Sequence, residues 1–579
     1  MSNINTLIRL EELYDWWFNP LNRHYWFNAT KQDDENISIK FGSLLSIESW
    51  VEITEITKFN FKQSIGLILL YDQVIRHWMR YKQISDISDT NENKINLLES
   101  SYNFIESFVK KFYFKNKNEI NGYDFCFTLL FLRHSNSFDN IKYVLNLIWD
   151  KLEKIGFENV NSEIGQIYIK YLKATYQRAN IDILHEDNNF NYNKQNTNDK
   201  SFELNINMHE NIQVYIEKYC SVLDTRSLYI YSDNYLKTNI HNEVIAQDCK
   251  NIDINSNLII SISGGVDSMV LSWILKKLGY NIILVHINYC NRENTILEQD
   301  MILSWGRYLK VRTFYRKIDE INRPKCMSIG NDFRNLYEIY TREQRYKSYI
   351  KASKIMNWDN FSVVLGHNHD DCIENVFTNI ISKTKWDNLY GMEFNSQIQF
   401  KNTNINFVRP FIRISKEQIY EFALRNNIIF LWDSTPKWSQ RGKIRDIVRP
   451  ALIEFNSEII NGIDNLVKIL SESVSSIDYI VDSWIRLGFE NNPINPNIYF
   501  KIEIDYDQLI KTNIFWKKLF NKLKIKVTSK CIDSLGIKIH TIEKNFSLMD
   551  INKIEKFQLN KNIQIKFTKN KFNKLLIFI

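Results

Sequence analysis

Glycine and proline are scarce in this sequence, with 16 and 7 occurrences among 579 residues. Their scarcity excludes collagen-like and Gly/Pro-rich low-complexity chains. The seven cysteines are scattered and no two have C-x-x-C spacing, which argues against a disulfide framework and a zinc ribbon. No stretch approaches the ~18 uninterrupted apolar residues of a membrane span, and residues 1–17 lack the basic and apolar regions of a secretion signal. We therefore expect a cytoplasmic protein without membrane association.

The chain is too long for one hydrophobic core, since single cores stop growing near ~250–300 residues. Its hydrophobic share of 44% and charged share of 24% are those of ordinary globular proteins. We expect a multidomain protein with an all-helical domain over 1–182, a linker and connecting segment over 183–256, an α/β domain over 257–454, and a helical, then basic mixed α/β region over 455–579. Within the second of these, residues 188–200 are almost wholly polar and rich in Asn, as in a linker.

Hydrophobic periodicity distinguishes the first domain from the third. Apolar residues recur with helical spacing at 13–18, 44–53, 64–81 and 143–155, which predicts an all-α domain. From residue 257 onward, short β-branched runs such as LIISI, NIILVHI and SVVLG alternate with helical segments. Strand, helix and strand at this spacing predict βαβ units and a parallel sheet covered on both faces.

The net charge of +7 is unevenly distributed along the chain. Residues 501–579 hold 17 Lys and no Arg against 7 acidic residues, so this tail carries ten surplus positive charges. A basic tail is typical of nucleic-acid contact, because lysines release condensed counterions from phosphates. The alternative is that Lys replaces Arg and Gln on solvated faces, as A+T-rich coding would produce.

The segment most indicative of chemistry is SGGVDS, which comprises Ser263, Gly264, Gly265, Val266, Asp267 and Ser268. It lies between a predicted strand and a predicted helix, the position where open α/β sheets bind ligands. Glycines let the backbone approach a phosphate, and the helix N-terminus offers N–H groups and a positive dipole end. The segment is not a GxxxxGK[ST] loop, since it has no lysine. A simple turn before a helix, with Asp267 in the first turn, is the alternative.

SGGVDS resembles SGGxDS, the signature of the PP-loop ATP pyrophosphatases. Four further segments are similar to motifs of tRNA(Ile)-lysidine synthetases and follow in that family's order. They are HINY at 286–289 followed by Arg292, Glu293 and Asp300; TREQRY at 341–346; GHNHDDCIEN at 366–375; and RPF at 409–411 with SKEQI at 415–419 and WDS at 432–434. The resemblance covers about 200 residues and implies an adenine nucleotide alpha hydrolase-like, Rossmann-like domain.

The chemistry of the side chains agrees with this resemblance. Asp371 and Glu374 are three residues apart, so they share one helical face and can hold a lysine ammonium or a divalent cation. Arg342 and Arg345 have the same spacing and can face phosphates or the charge of an adenylated intermediate. The alternatives are acids that only complement a helix dipole and arginines on a solvated helix face.

The resemblance implies an enzyme that uses ATP, Mg²⁺, free L-lysine and the anticodon loop of tRNA(Ile). The C2 oxygen of a cytidine attacks the α-phosphate, and lysine then displaces AMP to give lysidine. The implied cofactor-binding residues are 263–268 with His286 and His367, and Asp267 and Asp370 are the implied metal ligands. The implied catalytic residues are Asp267, Asp371, Glu374, Arg342, Arg345 and Arg445, with Asp267 or Asp371 as the base that deprotonates lysine.

Departures from the family pattern leave other functions open. The family's RNxIR-like run is here Arg441-Gly442-Lys443-Ile444-Arg445, and its HH pair and Gln are replaced by His367-Asn368-His369 and Cys372. One alternative is another PP-loop enzyme, such as a tRNA 2-thiolation enzyme or an amidotransferase-type synthetase. The absence of C-x-x-C argues against thiolation, and the helical N-terminus is not a glutaminase. A degenerate ATP- and RNA-binding protein is the non-enzymatic alternative.

The N-terminal region has a resemblance of its own. LILLYDQVIRHWMRY at 67–81 and FTLLFLRHSNSFDN at 127–140 are similar to segments of a small TPR-like family of uncharacterised bacterial proteins. That resemblance singles out Arg76, Arg133 and His134, and it implies a fold without a known chemistry. Helix-repeat surfaces usually bind partners, so we expect either a protein-binding role or a plain scaffold.

Overall fold

A computed structural model describes most of the chain. The residues that it describes are 2–26, 29–56, 58–84, 91–135, 137–179, 183–187, 243–291, 295–382, 389, 391–426, 428–431, 440–490, 500–505, 508–551 and 553–579. The predicted linker at 188–200 lies outside the described residues. Two compact units make up the chain. The first comprises Met1–Asp199, Ser261–Ser263 and Ile282–Phe361, and the second comprises Lys200–Ile260, Gly264–Asn281 and Ser362–Ile579.

The N-terminal part of the first unit is helical, as predicted. Its helices are α1 (Ser2–Phe18), α2 (Lys31–Phe41), α3 (Ile47–Glu55), α4 (Phe61–Leu69), α5 (Ile75–Ile84), α6 (Asn91–Asn116), α7 (Gly122–Thr128), α8 (Leu130–His134), α9 (Phe138–Ile155) and α10 (Glu163–Arg178). Capping boxes begin α2 at Thr30 and α4 at Asn60, because each side chain bonds the amide three residues on. A π-helical turn, Leu70–Val74, joins α4 to α5. The TPR-like resemblance stays a prediction.

A seven-stranded, mostly parallel sheet follows, which confirms the predicted fold class. Its strands are β1 (His185–Glu186), β2 (Asn257–Ile262), β3 (Asn281–Asn288), β4 (Thr313–Lys317), β5 (Ser362–Val364), β6 (Asn395–Phe400) and β7 (Thr403–Val408). Their order is β1-β4-β3-β2-β5-β7-β6. The pairs β3–β4, β2–β5 and β5–β7 are parallel, whereas β1 and β6 pair antiparallel at the two edges.

Helices alternate with these strands, as βαβ units require. They are α11 (Val266–Lys277), α12 (Thr295–Tyr308), α13 (Arg323–Ile329), α14 (Asn331–Ile355), α15 (His369–Ile381), α16 (Lys416–Arg425), α17 (Gln440–Lys443) and α18 (Arg449–Phe455). β2 and β3 are nearly continuous apolar runs and most of their residues are buried, which is typical of strands covered on both faces. The parallel core therefore brings the C-terminal strand ends, where ligands bind, to the loops that follow.

The C-terminal region is mixed α/β, as predicted. It begins with the long helix α19 (Ile459–Glu490) and continues with β8 (Lys501–Ile504), α20 (Asn513–Lys522), α21 (Ser529–Asn545), β9 (Ile554–Gln558), β10 (Gln564–Lys569) and β11 (Leu575–Phe578). The four strands form an antiparallel sheet in the order β8-β11-β10-β9. Trp516, Phe515 and Leu535 from the helices pack with Phe567 and Ile577 in its core. No helix among the described residues is long and apolar enough to span a membrane.

Candidate active site

The SGGVDS segment forms the turn between β2 and α11. Gly264 has φ 83°, a left-handed conformation that glycine adopts without strain. Its carbonyl accepts a hydrogen bond from the Leu431 amide at 2.9 Å, which fixes the turn. Gly265 is the N-cap of α11 and supplies no side-chain cap. The N-cap residue of this helix therefore places no carboxylate or hydroxyl over the positive end of the helix dipole, as expected of an anion-binding turn.

The loop between β5 and α15 approaches the first turn of α11 very closely. A Cβ on Gly366 would lie 3.0 Å from the carbonyl carbon of Asp267 and 3.1 Å from the amide nitrogen of Ser268. Only glycine fits there without displacing backbone. His367 follows and is half-buried in the same loop. The predicted phosphate turn and the predicted HNHDD motif therefore meet, and Gly366 is the residue that permits it.

Asp267 connects three of the sequence motifs. Its Oδ1 accepts a hydrogen bond from Asn368 Nδ2 at 2.8 Å, and its Oδ2 accepts one from Lys416 Nζ at 2.5 Å. Asn368 is the N-cap of α15, and Lys416 is the first residue of α16. Each partner is therefore held at a helix start, where the backbone is fixed. The Asp267 carboxylate is oriented by these two contacts.

The first turn of α15 presents the predicted acids. Asn368 caps the helix reciprocally with Asp371, whose Oδ2 accepts a hydrogen bond from the Asn368 amide at 3.1 Å. Glu374 is buried and its Oε1 accepts a hydrogen bond from Arg445 Nε at 2.7 Å. Arg445 also lies 3.8 Å from Asp371. Asp371 and Glu374 thus share one helix face, as their spacing predicted, and Arg445 pairs with both.

Burial and charge act in opposite directions on Glu374. Burial raises the pKa of its carboxyl above the ordinary value, and the Arg445 guanidinium only partly opposes that shift. Burial is the largest single influence on Arg445 and disfavours its charged form, but the contacts with Glu374, Asp371 and Asp267 together outweigh it and raise the pKa of Arg445. Oε2 of Glu374 makes no hydrogen bond within the described residues. That oxygen is a buried acceptor next to a fixed cation.

A second ion pair lies one helical turn away. Asp370 Oδ2 forms an ion pair with Arg449 NH1 at 2.9 Å. The neighbouring His369 Nε2 lies 2.9 Å from the Asp464 carboxylate of α19. Arg445 belongs to a π-helical turn, Ile444–Val448, which leads into α18 at Arg449. Such single π turns often occur at functional sites. Here the turn aims Arg445 and Arg449 at successive acids of α15.

Other predicted residues lie in the first unit. His286 is buried on β3 with its Nδ1 3.0 Å from the Ile262 carbonyl, and burial lowers its pKa to about 4. The ring is therefore neutral at pH 7, and Nδ1 carries the donated proton. Ser263 directly follows Ile262, so His286 supports the strand end that enters the phosphate turn.

The two predicted arginines of α14 differ in their surroundings. Arg342 is exposed. Arg345 is half-buried, 5.7 Å above the Tyr346 ring and close to Tyr349. The Tyr349 hydroxyl donates to Ser261 Oγ at 2.7 Å, which ties this helix to the end of β2. Arg345 is thus the better placed of the two near the strand end, and its Nε makes no hydrogen bond to any residue that the structure describes.

Several contacts could not be predicted from the sequence. Lys416, Arg449, Asp464 and Gly366 had no assigned role, although Lys416 lies within the SKEQI segment. Arg449 follows Arg445 by four residues, which is a weak signal of a shared helix face. Asp464 gives no signal, because it reaches His369 across 95 residues of sequence. Ser268 belongs to the segment that is expected to bind the cofactor, and its hydroxyl donates to the Gly265 carbonyl at 3.0 Å.

The predicted Mg²⁺ ligands are carboxylates of the type that this ion prefers. Mg²⁺ commonly uses only one or two protein carboxylates together with substrate phosphates. Asp370 Oδ1 makes no hydrogen bond within the described part of the chain, so one oxygen is available for this role. The described residues contain no group of three or more His, Cys, Asp or Glu side chains arranged for a metal ion. A site that depends on the phosphates of ATP agrees with both observations.

Comparisons with known proteins agree with this geometry. Residues 236–454 match the model of the PP-loop domain. The chain therefore contains a PP-loop ATP-binding domain, and the turn at 263–268 lies within it. Within that class, the chain is similar to curated tRNA(Ile)-lysidine synthases.

Three curated relatives illustrate the extent of the match. The chain is 28% identical over 211 residues to the tRNA(Ile)-lysidine synthase of Pseudothermotoga lettingae, which covers 35% of this chain and 43% of the relative. Identity to the synthase of Francisella philomiragia is 25% over 336 residues, with coverages of 55% and 80%. Identity to the tRNA(Ile)-lysidine synthase of Mesoplasma florum is 26% over 329 residues, which cover 53% of this chain and 76% of the relative. The chain thus spans less than half of the first relative's length.

A solved structure gives a weaker likeness. The U34-tRNA thiolase NcsA from Methanococcus maripaludis with its [4Fe-4S] cluster aligns with 42% of this chain and 83% of its own, at 15% identity and a TM-score of 0.31. A likeness of this size does not discriminate between PP-loop activities.

Proposed function

We propose that the protein uses ATP to ligate lysine to C2 of an anticodon cytidine in tRNA(Ile), through an adenylated intermediate. The observation that carries the proposal is the junction at Asp267, where the phosphate turn, Asn368 of the HNHDD motif and Lys416 of the SKEQI segment meet. A protein that had kept the fold but lost the activity would not need side chains from three separate motifs to meet at the Asp267 carboxylate. The match of residues 236–454 to the PP-loop domain and the similarity to curated tRNA(Ile)-lysidine synthases support the same function.

The first step would adenylate the cytidine. The C2 oxygen attacks the α-phosphorus of ATP, a P–O bond forms, and pyrophosphate leaves. The turn at 264–265 and the start of α11 would hold the pyrophosphate part through backbone N–H groups. Lys416 carries a positive charge beside this turn and would stabilise the departing phosphates. Mg²⁺ bound by Asp267 or Asp370 would add positive charge to the same phosphates.

The second step would bring lysine to the adenylated base. Its amine attacks C2, the C–O bond to the adenylate breaks, and AMP leaves. Glu374 suits the lysine ammonium, because its Oε2 is buried and has no hydrogen-bond partner among the described residues. The raised pKa of Glu374 also suits a group that accepts the proton lost by the attacking amine. Arg445 would hold the other carboxylate oxygen in place.

The basic C-terminal region would contact tRNA. Its ten surplus positive charges favour a phosphate backbone. Some of its lysines have a structural role, since Lys518 and Lys522 pair with Asp478 and Asp482 of α19 at 2.6 Å. Those pairs fix the region onto the long helix that also carries Asp464. The rest of the positive charge would steer tRNA toward the acids of α15.

The test is an assay of the full chain with ATP labelled at the α-phosphate, labelled lysine and total tRNA. We expect AMP release that needs both tRNA and lysine, and a labelled nucleoside in the digested tRNA. The Asp267→Asn variant should lose about 10²-fold or more in AMP release. The matched control is Glu417→Gln, because Glu417 is an exposed acid beside Lys416.

The alternatives give different outcomes. AMP release that needs tRNA and a sulfur donor instead of lysine would identify a thiolation enzyme. ATP and tRNA binding without AMP release would identify a degenerate binding protein. Undiminished turnover in Asp267→Asn would contradict the role of that carboxylate.

A further inference from the structure

The N-terminal helical part contains a buried carboxylate on a π-helical turn. Asp72 lies within Leu70–Val74 and is almost completely buried. His134 Nδ1 lies 2.8 Å from its Oδ1, Gln73 Nε2 donates to its Oδ2 at 2.6 Å, and Arg76 NH2 lies 3.3 Å from its Oδ1. Burial opposes ionisation, but the contacts with His134 and Arg76 hold the pKa of Asp72 below its usual range. This carboxylate is therefore ionised and fully bonded.

More positive charge surrounds Asp72 than it can neutralise. Arg133 lies 5.1 Å above the Tyr171 ring and donates to the Ala174 carbonyl at 3.2 Å. Its Nε is buried without a hydrogen-bond partner among the described residues. The Arg133 guanidinium is thus held in one orientation by groups that carry no negative charge.

Arg178 is the third guanidinium of this group. It is the last residue of α10 and is exposed. Partial burial lowers its pKa, and repulsion by Arg76 and Arg133 lowers it further. Of the described acidic residues, Asp72 is the one whose charge opposes that repulsion. Arg178 lies one helical turn beyond Ala174, whose carbonyl Arg133 bonds, so the three guanidinium groups belong to one cluster around Asp72.

A nearby pair in the same domain shows what a balanced arrangement looks like. Asp34 accepts Arg80 NH2 at 2.7 Å, and His77 Nδ1 lies 2.7 Å from the same carboxylate. One carboxylate, one histidine and one guanidinium suffice to fix α2 against α5. The cluster at Asp72 likewise contains one carboxylate, one histidine and one paired guanidinium, but it has two further guanidinium groups, those of Arg133 and Arg178.

We propose that Arg76, Arg133 and Arg178 form a binding site for a phosphate group. Guanidinium groups match phosphate oxygens bidentately, and an anion would relieve the repulsion among the three. The π-helical turn supports a binding role, because such turns are frequent at functional sites. His134 is held neutral, mainly by burial, so it adds no further charge. The site lies outside the PP-loop domain and does not depend on the lysine reaction.

The test compares two variants of the full chain that remove one positive charge from α10. Arg178→Ala removes a guanidinium of the cluster, and Lys170→Ala removes an exposed charge from the same helix as the control. Inorganic phosphate binding is measured by calorimetry at constant ionic strength. Binding of a fluorescent tRNA transcript is measured by anisotropy. The PP-loop turn is unchanged in both variants, so its contribution cancels.

We expect Arg178→Ala to weaken binding by about tenfold relative to Lys170→Ala, as for the loss of a charge-assisted hydrogen bond. A loss with inorganic phosphate alone supports a small phosphorylated ligand. A loss with tRNA, with or without a loss with inorganic phosphate, supports recognition of the RNA backbone. Equal binding by the two variants to both probes would overturn the proposal.

Discussion

Replacing Arg445 with Ala should loosen the start of α15. The substitution removes the cation that holds Glu374, whose side chain is 2% exposed, at 2.7 Å. Breaking a fully buried ion pair costs about 3–5 kcal/mol, whereas an exposed pair contributes about 0–1 kcal/mol. Arg445 is 35% exposed, so we expect an intermediate loss of about 2 kcal/mol at pH 8. That corresponds to about 30-fold faster hydrogen exchange of the α15 amides.

The loss should depend on pH in one direction. Burial raises the pKa of Glu374 in the native protein above the ordinary 4.5, so its stabilising contribution is present at low pH and declines as pH rises through the native pKa. Without Arg445 the native pKa rises further, so the decline is larger and extends to higher pH. The stability deficit of the variant should therefore be smallest at low pH and grow as the pH rises above the native pKa of Glu374.

The assay is native-state hydrogen exchange of peptides covering 369–381, corrected for intrinsic exchange rates, from pH 5 to pH 8. Lys443→Ala is the control, because Lys443 is exposed on the neighbouring short helix. In a Glu374→Gln background, Arg445→Ala should cost less than in the wild-type background, since the buried residue 374 is uncharged and only Asp371, 3.8 Å from Arg445, loses a cation. The explanation would be refuted if Arg445→Ala destabilised α15 equally at pH 5 and pH 8. It would also be refuted if the substitution cost as much stability in the Glu374→Gln background as in the wild type.

Two further substitutions test the phosphate turn and its support. Gly366→Ala places a Cβ 3.0 to 3.1 Å from atoms of Asp267 and Ser268. We expect this crowding to weaken ATP binding about tenfold, as measured by calorimetry. The control Gly462→Ala should bind ATP normally, because a Cβ there would have no atom within 4 Å. Equal affinity in both would mean that the close approach is unimportant. His286→Gln should remove an acid sensitivity: burial lowers the pKa of His286 to about 4, so wild-type stability is full above pH 6.5 and declines by about 3 kcal/mol as pH falls to 4. Urea titrations from pH 7 to pH 4 measure how the free energy of unfolding falls with pH. An equal fall in the variant would show that His286 is not the cause of the acid sensitivity.

Much of the local structure follows from residue patterns. The helical spacing in the first 180 residues, the β-branched runs of the central domain and the alternating runs of the tail predicted the element types, because hydrophobic periodicity is a local property. The sequence predicts that SGGVDS lies between a strand and a helix, whereas α11 begins within this segment, at Val266. Gly265 as N-cap explains the difference, since a glycine cap leaves little sequence signal. The domain boundaries and the roles of the site residues stay predictions.

The pairing of charges was less accessible from sequence. Asp371 and Glu374 were expected to lie on one helix face, and they do, but their partner Arg445 is 71 residues from Glu374. Lys416 is 149 residues from Asp267. Spacing within a helix fixes which side chains share a face, but it says nothing about which distant element packs against that face.

By itself, the sequence determined the α/β class of the central domain, the glycine turn that precedes α11 and the shared helix face of the two acids of α15, because each depends on neighbours within a few residues. Only the tertiary structure decided that Asp267 is held by Asn368 and Lys416, and that three arginines gather around Asp72. Those contacts depend on how helices and loops pack over long sequence distances, and packing depends on the whole fold.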